Sequence, residues 1–142
     1  GEEKFSRRIA HTLVEQRRCF PITTTKQLSD LILDAVPSRY RHMRIHPATR
    51  IFQALRIAVN RELDSLEVGL KKAVDRLSKH GRIVVISFHS LEDRIVKHIF
   101  RDFTAKGVLQ KVTKKPLTPS EGELNENSRS RSAKMRVAEK IL

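Results

Sequence analysis

The side chains best suited to chemistry stand together in Ser87-Phe88-His89-Ser90-Leu91-Glu92-Asp93. Hydroxyl, imidazole and carboxylate are the groups of nucleophilic acyl transfer. A catalytic triad, however, is assembled from separated elements, and the G-x-S-x-G turn that would carry a serine nucleophile is missing. Ser90 standing three residues before Asp93 reads instead as a capping box at a helix start. That leaves Phe88 and His89 unexplained by local structure, and assigns His89 and Ser90 to the rim of a ligand site.

Basic residues are the second chemical feature. Ala35 to Arg61 contains no acidic residue but holds Arg39, Arg41, Arg44, Arg50, Arg56 and Arg61, with His42 and His46. An uncompensated run of this kind reads as a phosphate-contacting surface. His42 and His46 have helical i, i+4 spacing, but no acid or cysteine stands nearby and the arginines would repel a cation, so no metal is expected. Arg129-Ser130-Arg131-Ser132-Ala133-Lys134 is a further basic run, with hydroxyls interleaved, entering a final strand. The glycines, at 1, 69, 81, 107 and 122, are too scattered to cradle a cofactor phosphate.

The elements that must position these groups follow from periodicity. Gly81 precedes the β-branched run Ile83 to Ile86, which is apolar on both faces. Such a run predicts a parallel strand buried between two layers, with Ser87 to Ser90 at its carboxyl end, where α/β sheets bind ligands. Upstream, Phe5, Ile9 and Leu13 predict a helix from Glu2 to about Arg18, with acids in its first turn. Thr24 and Gln27 form a capping box for a second helix ending before Pro37. From Pro47, apolar residues recur to Leu77 at helical steps, with Asn60 or Gly69 as candidate breaks. Lys79-His80-Gly81 supplies a glycine stop. Downstream, Ile95 to Phe103 marks a helix ending near Gly107, Val108 to Val112 a strand, and Lys114 to Ser128 a loop. Ala133, Met135 and Val137 alternate with Lys134 and Arg136 as in a half-buried strand, giving a terminal antiparallel pair. The class is α/β: the later part of a doubly wound sheet behind a basic helical region.

Composition narrows the partner. The 142 residues carry a net charge of +13, which favours a polyanion, nucleic acid first. Aromatics make up only 5% and Trp is absent, which leaves little material for a base-stacking platform. Cys19 is alone, so an internal disulfide or cysteine zinc cluster is excluded. No membrane-spanning run or signal peptide is visible, and a cytoplasmic location is the expectation.

Three long motifs then identify a resemblance. They are His46-Pro47-Ala48-Thr49-Arg50 through Leu63, Gly81 through Lys97, and Asn127 through Glu139. Together with the opening Gly1 to Phe5 and the Pro21 to Thr25 turn, they resemble the bacterial RsmH family, also called MraW, over essentially the whole chain. The resemblance implies an S-adenosylmethionine-dependent methyltransferase acting on N4 of a cytidine in small-subunit ribosomal RNA, with a class I methyltransferase sheet. Ser128 stands where the family commonly has proline. The resemblance also implies that residues 1–45 belong to a helical substrate-recognition insert and 46–142 to the methyltransferase domain. The family's cofactor loop, ribose-binding acid and cytosine contacts are expected upstream of Gly1. No catalytic or cofactor-binding residue is therefore assigned, and this chain alone is expected to be inactive and to bind no S-adenosylmethionine. From charge and sheet topology, Arg50, Arg56, Arg129, Arg131 and Lys134 are candidates for RNA phosphates. His46, Gln53, His89 and Ser90 are candidates for the substrate rim. A strand cut off from its neighbours predicts self-association. The alternative function is a non-catalytic basic RNA-binding module.

Overall fold

The computed structural model describes residues 2–41 and 45–142. His42 and Arg44, and with His42 the paired-histidine question, lie outside the described residues. The chain forms two units, Gly1–Asn60 and Arg61–Leu142. The division groups residues 46–60 with the first unit by packing, whereas the expected 1–45 and 46–142 partition follows from the resemblance.

The first unit is helical: α1 (Ser6–Cys19), α2 (Thr25–Ala35), α3 (Ser38–Arg41) and α4 (Pro47–Asn60). The expected stripe is present, with Ile9 buried and Phe5 and Leu13 packed around Ile32, Ala35, Val36, Ala48 and Ile51. Thr24 and Gln27 make the expected reciprocal capping box, and Pro47 opens α4, where its missing N–H costs nothing. α1, however, starts at Ser6 rather than Glu2, and no acid lies in its first turn. Glu3 has another task. Its buried carboxylate accepts the Phe5 backbone N–H at 3.0 Å and the Tyr40 hydroxyl at 3.1 Å. Burial, then the bond to Glu3, raises the Tyr40 pKa.

The run from Pro47 to Leu77 is broken at Arg61, whose φ of 51° is left-handed. A side chain there costs about 1 kcal/mol, so the ladder stops and restarts. α5 (Glu62–Arg76) begins with Glu62 and Asp64 in its first turn, where the helix dipole favours them. Gly69 lies inside α5 and breaks nothing.

The second unit continues with β1 (Arg82–Ser87), α6 (Ser90–Ala105), β2 (Leu109–Lys111), α7 (Glu121–Glu126), a 3₁₀ turn at Ser128–Ser132 and β3 (Lys134–Lys140). The strand order is β1-β3-β2, with β3 antiparallel to both neighbours, so β1 and β2 run parallel to each other. The expected antiparallel terminal pair is present. β1, expected beside parallel strands, pairs instead with β3 in the register Arg82↔Glu139 to Ser87↔Lys134. Nor is β1 covered on both faces. Ile83 and Val85 pack with Leu70, Val74, Val96, Ile99 and Phe100. Val84 and Ile86, on the opposite face, are each 55% exposed. Period-2 alternation buries one set of side chains, and no described layer lies over the other.

Lys114 to Ser128, expected as loop, contains α7. Its cap is Ser120, whose hydroxyl accepts the Glu123 N–H at 3.2 Å, a spacing visible in the sequence. His80, not Gly81, takes the left-handed conformation, with φ 63°. Gly81 is needed for close approach, since a Cβ there would lie 2.8 Å from the Ser78 carbonyl oxygen. No helix among the described residues is long and apolar enough to cross a membrane.

α6 ends in a Schellman motif, as the Gly107 signal predicts. The Gly107 N–H donates to the Thr104 carbonyl and the Val108 N–H to that of Phe103, both at 3.0 Å, with Gly107 at φ 71°. Nothing crowds a Cβ at this position, so backbone conformation alone sets the cost of one. Gly107→Ala is expected to lower unfolding stability by about 1 kcal/mol, measured by urea denaturation. An unchanged midpoint would contradict the left-handed assignment.

Candidate functional site

β1 ends at Ser87 and α6 begins at Ser90, so the turn between them is only Phe88-His89. The turn is held by a capping box one residue earlier than expected. His89, not Ser90, is the N-cap: its Nδ1 accepts the Glu92 N–H at 3.3 Å. Glu92 Oε2 returns the contact, accepting the N–H groups of Phe88 at 2.9 Å and His89 at 3.3 Å. Histidine is not among the usual caps, so the sequence pointed to Ser90 and Asp93 and missed the His89 and Glu92 box.

The cap decides the chemistry of the imidazole. With Nδ1 accepting, the ring proton belongs on Nε2. Nε2 is buried without a hydrogen-bond partner among the described residues, 3.4 Å from Glu92 Oε1. Glu62, His89 and Glu92 each bring one ligand atom within 4.8 Å of the others, a grouping the sequence reading missed. A cation on Nε2 would need the proton moved to Nδ1, where it would face the Glu92 N–H. The cap and a metal therefore compete for one ring.

Asp93 is free of capping duty because it serves another partner. Its carboxylate accepts Arg136 Nε at 2.7 Å and Nη2 at 3.1 Å, and Lys134 Nζ lies 3.9 Å away. The Asp93 and Arg136 side chains are only 12% and 11% exposed. The Arg136 hydrogen bond holds the Asp93 pKa below its ordinary value; burial opposes this, and Arg136, Lys134 and Lys97 charges assist. This pair reverses the expected facing of β3. Lys134, Arg136 and buried Ala138 lie on the side packed against α6, while Met135 and Val137 share the open face with their partners Ile86 and Val84. An alternating strand cannot announce which face is inward when the charged face has a buried carboxylate to meet.

The structure gathers His89, Ser90 and Lys134 at one end of the sheet, Lys134 being paired with Ser87. Arg129 and Arg131 are exposed in the 3₁₀ turn just before β3. That turn is ordered by its own bonds, the Ser130 hydroxyl donating to the Asn127 carbonyl at 2.8 Å. The remaining candidates belong to the first unit. His46 caps α4, its Nδ1 accepting the Ala48 N–H at 3.2 Å. Arg50 Nη1 is 4.0 Å from the buried Glu3 carboxylate and donates to the Glu2 carbonyl at 3.5 Å, an internal engagement invisible in the sequence. Gln53 is half-buried and Arg56 exposed on the same helix.

Comparison with known proteins matches residues 1–141 to the family described as the MraW methylase family. The chain is 58% identical over 142 residues to ribosomal RNA small subunit methyltransferase H of Synechococcus elongatus, covering 100% of this chain and 46% of that protein. Its namesake from Sulfurihydrogenibium is 53% identical over 141 residues, covering 99% and 48%. That from Pelobacter propionicus is 51% identical over 156 residues, covering 99% and 50%. The chain thus spans about half the length of the curated relatives it matches.

Asp93→Asn is expected to cost about 3 kcal/mol at neutral pH, because it leaves a largely buried guanidinium without its counter-charge. A depressed folded-state pKa contributes stability that is present above the ordinary Asp value and lost as pH falls through the folded one. The gap between native and variant in urea titrations should therefore close on acidification below pH about 4. A gap constant with pH would refute the ionic role. His89→Ala should lose about 1 kcal/mol in the same assay and His89→Asn much less, since asparagine also caps.

Proposed function

Since the chain belongs to the MraW methylase family, we propose that it is the carboxyl-terminal portion of an S-adenosylmethionine-dependent methyltransferase acting on N4 of a cytidine in small-subunit ribosomal RNA. The carrying observation is likeness along the whole chain to proteins named ribosomal RNA small subunit methyltransferase H. The turn at the carboxyl end of β1, with exposed Phe88 beside His89 and Ser90, lies where sheets of this class hold ligands.

S-adenosylmethionine does not fit the residues present. Gly69 lies within α5, Gly107 ends α6 and Gly122 lies within α7, so none of them brings open backbone to the end of β1. No step is therefore routed through the cofactor, and its binding is assigned to the half of the family's length that this chain does not span. The open Val84 and Ile86 face and the edge of β1 that is unpaired among the described residues are suitable docking surfaces for that half.

The contribution of this chain is then to hold RNA. The exocyclic amine of cytosine is a weak nucleophile, its lone pair being delocalised into the ring, so the rate depends on alignment and exclusion of water. A base stacked in RNA must first be swung out, and cations on its flanking phosphates hold it there. Arg129, Arg131 and Lys134 take that role beside the β1 turn; Arg50 and Arg56 are phosphate candidates of the first unit in their own right, Arg50 being engaged by Glu3. His89 shapes the rim but does not take the amine proton, because its accepting nitrogen is occupied by the Glu92 N–H.

The net charge of +13 supports a second reading, a basic RNA-binding module without catalysis. Calorimetry separates the two. This chain alone should give no saturable heat with S-adenosylmethionine, while the full-length protein should bind it and transfer labelled methyl to ribosomal RNA as N4-methylcytidine. Methylation of another atom would refute the target, and tight cofactor binding by this chain alone would refute the division of labour. Arg129→Gln with Arg131→Gln should weaken RNA binding several-fold and flatten its salt dependence by about one to two in log–log slope.

A further inference from the structure

One concavity lies away from the β1 turn, between α6 and the strand that follows it. It has a volume of about 90 Å³ and is lined by Lys97, Phe100 and Arg101 of α6, by Lys111, Thr113 and Lys114, and by Arg136 of β3. A hollow of this size has room for a phosphate group. Helical i, i+4 spacing places Lys97 and Arg101 on the same side of α6. Lys111 ends β2, and Lys114 follows it.

The accounting of charge singles this place out. Arg136 is neutralised by Asp93 at 2.7 Å, and Arg101 pairs with Asp102 at 3.0 Å. Lys97, Lys111 and Lys114 are exposed and make no hydrogen bond or close ion pair among the described residues; Asp93, which the Lys97 charge helps to hold ionised, is already bound by Arg136. Three like charges converging on one hollow repel each other unless an anion occupies it. The cations also continue beyond the hollow. Arg136 and Lys134 lie on the same face of β3, joined through Asp93, and Lys134 stands beside Ser87 at the end of β1. A ligand with one anion would satisfy the hollow; one with anions repeated along its length would also reach the partly exposed Lys134 at the end of β1.

We propose that the hollow bounded by Lys97, Lys111 and Lys114 binds a backbone phosphate of the RNA at a distance from the target nucleotide, with the partly exposed Lys134 at the β1 turn as a second contact. The inference rests on the RNA-binding part of the proposed function and adds a contact surface to it. The three lysines act as point charges on flexible stems, so the contact anchors the strand without reading its sequence.

The test compares two charge-matched variants of this chain in fluorescence anisotropy with transcribed small-subunit ribosomal RNA, across a range of salt. The first is Lys97→Gln/Lys111→Gln/Lys114→Gln. The control is Lys72→Gln/Lys79→Gln/Lys106→Gln, which alters exposed lysines elsewhere in the same unit. The hollow variant is expected to bind about tenfold or more weakly at low salt, with the log–log salt slope reduced by about two. The control should change less than threefold, and the three lysine-to-arginine replacements in the hollow should restore binding. Equal losses in the two glutamine variants would overturn the proposal while leaving RNA binding intact. No salt-dependent RNA binding by the unaltered chain would overturn the proposal together with the reading beneath it. Inorganic phosphate saturating the hollow by NMR, with RNA affinity unchanged in the variant, would assign it to free phosphate and overturn the proposal. Displacement of RNA from the hollow by polyglutamate at equal charge concentration would do so in favour of an acidic protein segment.

Discussion

The ion pair between Asp93 and Arg136 is the constraint on which the second unit depends. It joins the first turn of α6 to the middle strand across 43 positions of sequence, with both side chains largely withdrawn from water. A buried carboxylate without its guanidinium would be strongly unfavourable, so strand and helix are specified together. Because Asp93 is committed to β3, it is unavailable as a helix cap, and His89 and Glu92 take that task. Because Arg136 must face α6, Met135 and Val137 must face the other way. One pair thus determines the cap, the tautomer of His89 and the facing of β3.

The facing of β3 explains the apolar surface of the sheet. Val84 and Ile86 stand opposite Val137 and Met135, and Leu117 forms a bridge to Met135. Leu117 is 52% exposed, comparable with Val84 and Ile86. This is a row of β-branched and unbranched apolar side chains on a pleated face, the surface against which a second layer packs. The helix-covered face is by contrast unusually basic, with Lys134, Arg136 and Lys140 inward. Lys140 Nζ donates to the carbonyls of Val74 and Asp75 at 3.3 Å, so even this cation is used to hold α5 to the sheet. The basic character of the chain is therefore partly structural, and counting charges overstates what is available to a polyanion.

The same distinction applies in the first unit. Arg50 is one of the arginines in an acid-free stretch, and on sequence alone it is a phosphate ligand. In the fold it is beside Glu3, whose carboxylate also receives Tyr40 and the start of α1. The acid that compensates it comes from the opposite end of the unit's sequence. Absence of acids within a window says nothing about acids brought to it by packing.

What the sequence determined by itself was local or repetitive. The capping box at Thr24, the helix opening at Pro47, the glycine stop at Gly107 and the strand at Ile83 each depend on neighbours within a few residues, which a linear reading contains. The family, too, was legible, because long ordered motifs survive in the chain whether or not it spans the whole protein. Tertiary structure decided which ionisable groups are spent on one another. Asp93 meets Arg136 and Glu3 meets Arg50 only when distant segments are folded together, and the same folding leaves Lys97, Lys111 and Lys114 around one hollow. Electrostatic interaction falls off with distance in space and is indifferent to separation along the chain, so the partners of a charge cannot be read in order. That is why the turn after β1 could be placed from sequence, while its capping histidine and its ion pair required the fold.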